Sequence, residues 1–196
     1  MSGRLAVAIL AAGSARRFGG GKLDADCGGK PLGRWALDAA RALESEALAV
    51  VVGDDVPRFA EGAELVRNPR AEEGLGTSAA AAACWAMELQ ADALLLVLAD
   101  MPLVSDATLR RLTDGSLPSA VTWPGGKPGA PACFPAAMLP DLARLGGMDG
   151  AAALLRGRGD VRLVEVPPDE LRDVDRLDDL AEVARLLQRC PKPRSS

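Results

Sequence analysis

The sequence predicts an α/β fold in which helices cover both faces of a mostly parallel, mixed central sheet, giving a three-layer sandwich. Short apolar runs typical of buried strands alternate with amphipathic or alanine-rich segments typical of helices. This βαβ alternation favours a parallel sheet between two helical layers. A chain of 196 residues fits a single domain, which we expect to span residues 1–190, with a disordered tail at residues 191–196.

The predicted strands are short apolar runs that end at turn-forming residues. They cover residues 5–10, 48–52, 64–66, 94–98, 121–123, 130–134 and 161–166. The run at 94–98 is the most apolar and is expected at the centre of the sheet. Residues 124–129, rich in Gly and Pro, are expected to join two short strands, the second adding an antiparallel or extended element.

The predicted helices carry apolar residues at helical spacing. They cover residues 31–43, 77–90, 105–112, 136–145, a stretch beginning near 149, and 176–188. Hydroxyl and carboxylate side chains are expected as N-caps: Thr77 or Ser78 in the second helix, Ser105 in the third and Asp175 in the last.

Charge and composition exclude several classes of protein. A net charge of −4, few aromatics and no basic stripe argue against nucleic-acid binding. No apolar run approaches the roughly 20 residues of a membrane span, and no signal peptide is evident, so we expect a cytoplasmic protein. The four cysteines form no C-x-x-C pair, which favours free thiols over a metal or redox site.

The chain contains no histidine. This excludes nucleophiles activated by histidine, metal ions bound by histidine and acid–base catalysis by histidine. Any enzymatic chemistry must therefore depend on carboxylates, cations and backbone dipoles.

The loop after the first strand, residues 10–23, is the strongest functional signal. Its small residues allow close approach of a ligand, its N–H groups can cradle an anion, and Arg17 and Lys22 add positive charge. Neither G-x-G-x-x-G nor G-x-x-x-x-G-K-[ST] is present, because Ser14-Ala15 follow Gly13 and Arg16 stands where the second motif needs glycine. The alternative is a glycine-rich turn with solvated charges.

The remaining pattern, A-A-G-x(3)-R-x-G-x(2)-K, resembles the entry signature of the MobA-like nucleotidyltransferases, most closely the molybdenum cofactor cytidylyltransferases. Phe18 replaces the usual Met. The matching residues are Leu10, Ala11, Ala12, Gly13, Arg17, Gly19, Lys22 and Leu23. The resemblance implies a Rossmann-like nucleotide-diphospho-sugar transferase fold.

Two later motifs also resemble the family in order. Gly29-Lys30-Pro31-Leu32 corresponds to its G-K-P-L, and the segment from Glu73 to Ser78 to its E-G-M-G-x-S. The alternative for the second motif is an ordinary capped helix. The residues implied to contact the nucleotide are Leu10, Ala11, Ala12, Gly13, Arg17, Lys22, Gly53, Asn68, Gly76, Thr77 and Ser78.

Carboxylates follow the central and last strands. Asp100-Met101-Pro102 resembles the family's A-D-M-P, whose Asp binds the metal, and a carboxylate in this place is costly to bury unless it faces a cation. Asp173-Val174-Asp175 resembles D-I-D-T-P-E-D-L, which implies that one of the two joins Asp100 on Mg²⁺ or Mn²⁺. Which one binds stays open, since Asp175 has a competing role as helix cap.

The acceptor side matches the family only in part. Gly129-Ala130-Pro131 with Phe134 resembles G-x-P-x-x-F, which lines the pterin side. At residues 147–152, however, Met148 and Ala152 replace the Asp and Arg of G-D-x-G-A-R, and Asp149 substitutes for the Asp only after a one-residue shift.

The resemblance implies transfer of CMP from CTP to the terminal phosphate of a molybdopterin-type cofactor, with Arg17, Lys22 and Asp100 as catalytic residues. A molybdenum hydroxylase or its chaperone is the implied protein partner. Alanine at Ala12 resembles the cytidylyl members, whereas guanylyl relatives tend to carry glycine there. The alternatives are a guanylyl- or sugar-phosphate nucleotidyltransferase, and a chaperone that binds the nucleotide or cofactor without transfer.

Overall fold

The computed structural model of the protein describes residues 3–13, 18 and 20–189, and within them seven strands form one sheet. The strands are β1 (Leu5–Leu10), β2 (Ala47–Val52), β3 (Glu64–Arg67), β4 (Ala93–Leu98), β5 (Ser119–Trp123), β6 (Lys127–Pro135) and β7 (Arg162–Val164). Their order is β3-β2-β1-β4-β6-β5-β7. Only β6 runs antiparallel to its neighbours within this sheet. The mixed sheet with β4 at its centre confirms the prediction.

Helices and short 3-10 turns connect the strands. The helices are α1 (Leu32–Arg41), α2 (Leu75–Glu88), α3 (Asp106–Thr113), α4 (Leu139–Leu142) and α5 (Leu177–Arg189). The 3-10 turns are Lys22–Asp24, Arg58–Ala60, Ala71–Glu73, Ala136–Met138, Ala151–Leu155 and Pro168–Leu171.

The sheet has a buried core on each face, which confirms the three-layer architecture. Side chains alternate along β1, so that Val7 and Ile9 pack with α1 and α3 while Ala6 and Ala8 pack with α2 and α4. All six residues of β1 are buried, because helices cover both faces of the parallel part of the sheet.

A third apolar cluster lies outside the two sheet cores. Cys27 and Leu32 pack against Val174 and Val183, and Val174 has no exposed surface. This contact holds α5 and the segment before it against the start of α1. It thereby fixes the two aspartates that flank Val174 at one edge of the sheet.

The structure corrects one predicted helix cap and shows the contacts at the start of another helix. Helix α2 begins at Leu75, with Gly74 as its N-cap, so Thr77 and Ser78 lie inside the first turn. Helix α5 begins at Leu177, and Asp179 accepts the N–H groups of Asp175 and Arg176 at 3.0 and 2.7 Å. The carboxylate that satisfies these two N–H groups therefore belongs to Asp179, within the first turn. Ser105 is confirmed as a cap in α3.

Several predicted boundaries differ from the structure. The helix expected over 136–145 is a 3-10 turn followed by the four-residue α4, and the one expected near 149 is the 3-10 turn Ala151–Leu155. The turn between β5 and β6 is shorter than 124–129. Pro124 and Gly125 occupy its centre, Gly125 has φ 81°, and the N–H of Gly126 donates to the carbonyl of Trp123, which is the type II pattern.

Candidate active site

The candidate site lies where three parallel strands end. Leu10 of β1 pairs with Val51 of β2 and with Leu98 of β4. The residues that follow these strands, among them Gly53 and Asp100, therefore lie at one edge of the sheet. Ligands of open α/β sheets bind outside this carboxyl edge.

The loop after β1 turns sharply before its lysine. Gly20 and Gly21 have φ values of 97° and 63°, which are favourable for glycine and strained for other residues. Gly21 precedes the 3-10 turn Lys22–Asp24. Arg17, predicted here as a catalytic and nucleotide-binding residue, lies outside the described residues, and its role stays a prediction.

Lys22 joins the glycine loop to the predicted metal ligands. Its ammonium lies 2.8 Å from a carboxylate oxygen of Asp100 and 3.7 Å from one of Asp175. The Lys22 side chain is 12% exposed, so solvent weakens these interactions less than it would for a surface pair. The structure therefore brings together three predicted residues that are far apart in the sequence.

Asp173 lies in the same group of carboxylates. Burial is the main cause that raises the pKa of Asp173, and the nearby negative charges of Asp100 and Asp175 raise it further. Between the two late aspartates, the N–H of Val174 donates to the carbonyl of Asp100 at 3.0 Å. This hydrogen bond connects the end of β4 to the segment before α5.

Asp100 and Asp175 are the two residues that could hold a divalent cation beside Lys22. A single ammonium already lies against Asp100 and Asp175, so the space between the two carboxylates accommodates positive charge. Within residues 3–13, 18 and 20–189, no group of three or more His, Cys, Asp or Glu side chains could hold a metal ion. Mg²⁺ commonly takes one or two carboxylates and completes its shell with water and substrate phosphates.

An open cleft of about 470 Å³ adjoins the lysine. One wall comes from the loop after β1 and the Lys22–Asp24 turn, and the other from the segments after β2 and β3. Its lining residues are Ala11, Ala12, Gly13, Gly20, Gly21, Lys22, Leu23, Asp24, Gly53, Asp54, Asp55, Val56, Pro57, Asn68, Pro69, Ala71 and Glu72. Leu10, directly before this lining, is buried at the end of β1.

Sequence reasoning missed the carboxylates that line this cleft. In the sequence, Asp54 and Asp55 are recognisable only as polar residues at the end of a strand. Glu72 does not belong to any motif that indicates a function. Asp24 follows the lysine by two positions, but its contacts depend on a segment more than thirty residues away.

Asn68 organises a buried hydrogen-bond network beneath the cleft. Its amide donates to the hydroxyls of Thr77 and Ser78 at 3.0 Å each, and its carbonyl oxygen accepts the N–H of Arg70. The Thr77 hydroxyl lies 2.8 Å from the carbonyl oxygens of both Arg70 and Gly74, and its single proton is shared between them. Thr77 and Ser78 are not among the residues that line the cleft, so the structure corrects their predicted role: their hydroxyls connect β3 to α2 through Asn68.

The two glycines around the start of α2 admit another segment of the chain. A Cβ at Gly74 would lie 2.4 Å from the carbonyl oxygen of Gly147, and one at Gly76 would lie 2.6 Å from that of Asp149. The N–H of Gly76 donates to the Gly147 carbonyl at 3.1 Å. The predicted contact of Gly76 with a nucleotide is therefore corrected, because this N–H is already bonded to the Gly147 carbonyl.

The predicted acceptor residues occupy different environments. Phe134 pairs with Leu94 near the amino end of β4 and is fully buried, so it is a core residue and its predicted acceptor role is wrong. Pro131 is buried nearer the carboxyl edge. Asp149 is exposed, 3.7 Å from Arg156, on the loop that crosses α2.

The cleft lies at the carboxyl edge of parallel strands and is bordered by a glycine loop, a sheltered lysine and converging carboxylates. These features are typical of nucleotide-binding α/β proteins. Residues 7–165 match the model of the MobA-like NTP transferase domain. The chain belongs to this family of nucleotidyltransferases. Within the described residues, no helix has both the length and the apolarity needed to cross a membrane.

Comparisons with individual proteins agree with this assignment. The solved structure of an Rv0371c homologue from Mycobacterium sp. strain JC1 superposes with a TM-score of 0.75 over 93% of this chain and 98% of that chain. The sequence identity between the two is 28%. The manganese complex of Rv0371C from Mycobacterium tuberculosis is 25% identical with a TM-score of 0.71, over the same shares. The bifunctional protein GlmU of Geobacter metallireducens is 34% identical over 128 residues, 61% of this chain and 27% of that protein. The chain thus spans about a quarter of the length of this curated relative.

Proposed function

We propose that the protein transfers CMP from CTP to the terminal phosphate of a molybdopterin-type cofactor, with release of pyrophosphate. Membership of the nucleotidyltransferase family supports the reaction class. The observation that carries the proposal is the position of Lys22, beside the cleft and against Asp100 and Asp175. A cation and two carboxylates at one edge of a glycine-lined cleft suit the binding of a nucleoside triphosphate with its metal ion.

The reaction needs no protein base. A phosphate monoester has a second pKa near 6, so the acceptor phosphate is largely a dianion at neutral pH. One of its oxygens forms a bond to the α-phosphorus, and the bond from that phosphorus to the bridging oxygen of pyrophosphate breaks. A chain without histidine is consistent with this chemistry.

Positioning and charge neutralisation are the contributions of this chain. We assign Lys22 to the α-phosphate, where negative charge increases in the transition state. The main-chain N–H groups around Gly20 and Gly21 would hold the other phosphates, together with Arg17. Asp100, with Asp175 or Asp173, would hold Mg²⁺, which supplies neutralisation of phosphate charge when bound.

Manganese is a reasonable substitute for magnesium at this site. Both are hard cations that favour carboxylate and phosphate oxygens. The Mycobacterium tuberculosis relative at 25% identity forms a complex with manganese, which supports the use of Mn²⁺ as a probe.

The choice of CTP depends on the cleft lining. Ala12 lines the cleft with a methyl group where guanylyl relatives tend to have glycine, which leaves less space beneath a purine. Carboxylate residues Asp54, Asp55 and Glu72 are also in the lining, and a carboxylate accepts hydrogen bonds from the exocyclic amino group of cytosine. Uracil has no such group, so this lining favours CTP over UTP.

The main alternative to this proposal is a different phosphate acceptor. Met148 is 83% exposed on the loop where the cytidylyltransferase pattern carries aspartate, and Ala152 replaces its arginine. These replacements favour testing sugar phosphates and other small phosphate monoesters beside the pterin. A protein that binds without transferring would be a nucleotide or cofactor chaperone.

The decisive experiment measures pyrophosphate release with Mg²⁺ from CTP, GTP, UTP and ATP, each with a molybdopterin-type cofactor or a sugar phosphate. We expect release with CTP and the pterin acceptor. Preference for GTP would overturn the base assignment, and transfer only to sugar phosphates would overturn the acceptor. Tight nucleotide binding with no release from any pair would identify the chaperone.

A further inference from the structure

The carboxylate of Asp24 joins the two walls of the nucleotide cleft. One oxygen accepts the main-chain N–H of Arg58 at 2.9 Å, and the other accepts that of Phe59 at 2.8 Å. Asp24 belongs to the Lys22–Asp24 turn, whereas Arg58 and Phe59 begin the Arg58–Ala60 turn. Both oxygens of one charged side chain are thus used to hold the lysine turn against a second segment.

The second segment is itself firmly anchored. It continues the wall at residues 53–57, which lines the same cleft as Lys22. Phe59 is 2% exposed, and its ring packs so closely on α1 that a Cβ at Gly33 would lie 2.6 Å from it. Asp24 is therefore tied to a part of the structure that cannot move without disturbing the core.

The lysine turn depends on this anchor because the chain before it is glycine. Gly20 and Gly21 adopt positive φ values and have no side chains to pack. The turn is closed locally by the N–H of Asp24 donating to the Gly21 carbonyl at 3.0 Å and that of Ala25 to the Lys22 carbonyl at 3.2 Å. A displacement at Asp24 is consequently transmitted to Lys22, two residues away.

We propose that Asp24 is a positioning residue that sets the place of the Lys22 ammonium through its two hydrogen bonds to Arg58 and Phe59. The catalytic consequence depends on the proposed function, in which Lys22 acts on the α-phosphate. The effect of Asp24 on the place of the Lys22 ammonium does not depend on the proposed function, because Lys22 is held against Asp100 in this structure.

Two substitutions remove the link from opposite sides. Asp24→Asn removes the charge and leaves one acceptor for two donors. Arg58→Pro removes one donor only: Pro57 has φ −64° and ψ 141°, a conformation compatible with a following proline, and Arg58 is the first residue of its turn, where proline is tolerated. The matched controls are Asp26→Asn, an exposed carboxylate two residues away, and Arg58→Ala, which keeps the N–H.

The primary measurement is the rate at which an amine-reactive reagent modifies Lys22, mapped by mass spectrometry with exposed Lys127 as the internal reference. Lys22 is 12% exposed, so release of its turn would increase its reactivity. We expect Asp24→Asn and Arg58→Pro each to raise this rate by about 10-fold, the equilibrium value of one charge-assisted hydrogen bond, and the two controls to leave it unchanged.

The second measurement is turnover. We expect kcat per folded molecule to fall by about 10-fold in both variants, with KM for the nucleotide changed less. The double variant should lose little more than either single one, because both break the same link. If Asp24→Asn does not fold, Arg58→Pro still carries the test, since it keeps the carboxylate and one of the two bonds.

Unchanged reactivity of Lys22 in Asp24→Asn and Arg58→Pro would overturn the proposal. A loss of thermal stability in these variants with normal kcat in the folded fraction would also overturn it. Additive losses in the double variant would also contradict it. If the wild-type protein transferred no nucleotide at all, the proposed function would fail, but the reactivity of Lys22 would still decide the role of Asp24.

Discussion

The ammonium of Lys22 lies 2.8 Å from the carboxylate of Asp100, although the two residues are 78 positions apart in the chain. Both side chains are sheltered, at 12% and 26% exposure. The pair joins the glycine loop after β1 to the end of β4. It also gives the proposed reaction its two principal charges.

Replacing either member of this pair should impair the reaction more than the fold. Loss of one preorganised charge contact commonly costs about 3 kcal/mol of transition-state stabilisation, which corresponds to about 100-fold in rate. We expect Lys22→Ala and Asp100→Ala each to lower kcat by at least about this factor, with circular dichroism spectra like that of the wild type. Turnover near the wild-type value in either variant would exclude the assigned roles.

Lys22 should compete with a divalent cation for Asp100 and Asp175. Its ammonium contacts both carboxylates, which are the proposed metal ligands. Without the Lys22 ammonium, the negative charge of the two carboxylates is no longer neutralised by it. Lys22→Met should therefore bind Mn²⁺ more tightly than the wild type in the absence of nucleotide. Paramagnetic resonance titration of free Mn²⁺ measures this affinity. Lys127→Met, at an exposed position on β6, is the control, and weaker or equal binding in Lys22→Met would contradict the competition.

The sequence predicted the sheet well because its strands are continuous apolar runs. The run at β4 was recognisable as central from its composition alone, and Ser105 has the hydroxyl and spacing of a normal cap. The start of α2 was placed two residues late, since Gly74 caps the helix through its backbone while Thr77 and Ser78 serve a buried asparagine. The presence of a serine or threonine in the sequence does not indicate which hydrogen-bond partner its hydroxyl has in the folded protein.

The candidate site was only partly predictable for a related reason. Lys22, Asp100 and Asp175 follow recognisable motifs, and the parallel register of β1 and β4 brings them to one edge. Phe134 matches a motif equally well but points into the core, because the alternation of β6 places it opposite Leu94. Contacts such as that of Asp24 with Phe59 arise from tertiary packing and leave no local pattern.

The stability of α1 should depend on pH through Asp38. Its carboxylate accepts hydrogen bonds from Lys30 and from Arg34, the latter at 2.9 Å. Burial works to raise the pKa of Asp38, but these two partners outweigh it and hold the pKa below its ordinary value. Because the folded-state pKa is the lower one, the stabilisation is present above the unfolded-state pKa, about 3.9, and is lost as the pH falls through the folded-state value.

We therefore expect Asp38→Asn to lower the Tm at pH 7 and to have a smaller effect near pH 3, below the unfolded-state pKa, where protonation of the wild-type carboxyl in the unfolded chain offsets part of the stabilisation. Thermal unfolding at the two pH values measures the difference. Asp141→Asn removes a carboxylate from a largely exposed pair with Arg144, which should contribute little, and is the control. An equal loss of Tm at both pH values would show that Asp38 acts through packing alone.

The described cysteines should differ sharply in reactivity. Burial, followed by the charge of Asp26, raises the pKa of Cys27 to about 11, and burial raises that of Cys133 to about 12 against the smaller opposing effects of Arg162 and a backbone hydrogen bond. Cys84 is exposed on α2. Since the thiolate is the nucleophile, we expect a maleimide at pH 8 to modify Cys84 and to spare Cys27 and Cys133 until the protein unfolds. Early modification of Cys27, detected by peptide mapping, would mean that the α5 contact over it opens in solution.

Gly76 should affect the acceptor more than the nucleotide. An added Cβ would lie 2.6 Å from the carbonyl oxygen of Asp149 and 2.7 Å from that of Gly146. Both atoms are main chain, so Gly76→Ala must push the loop at residues 146–149 away from α2. Because this loop carries Asp149, the remaining exposed acceptor candidate, we expect KM for the acceptor to rise by about 10-fold while KM for CTP changes little.

Gly159→Ala is the matched control, because an added methyl there meets no heavy atom of the described chain within 4 Å. Limited proteolysis provides a second measurement that does not depend on the acceptor: cleavage within residues 146–150 should become faster in Gly76→Ala and stay unchanged in the control. A rise in KM for CTP without a change for the acceptor would place the start of α2 in the nucleotide site after all. Gly76 donates its N–H to the loop at residues 146–149, whereas Thr77 is bonded to Asn68 of the cleft, so the two KM values decide which of these neighbours the substitution disturbs.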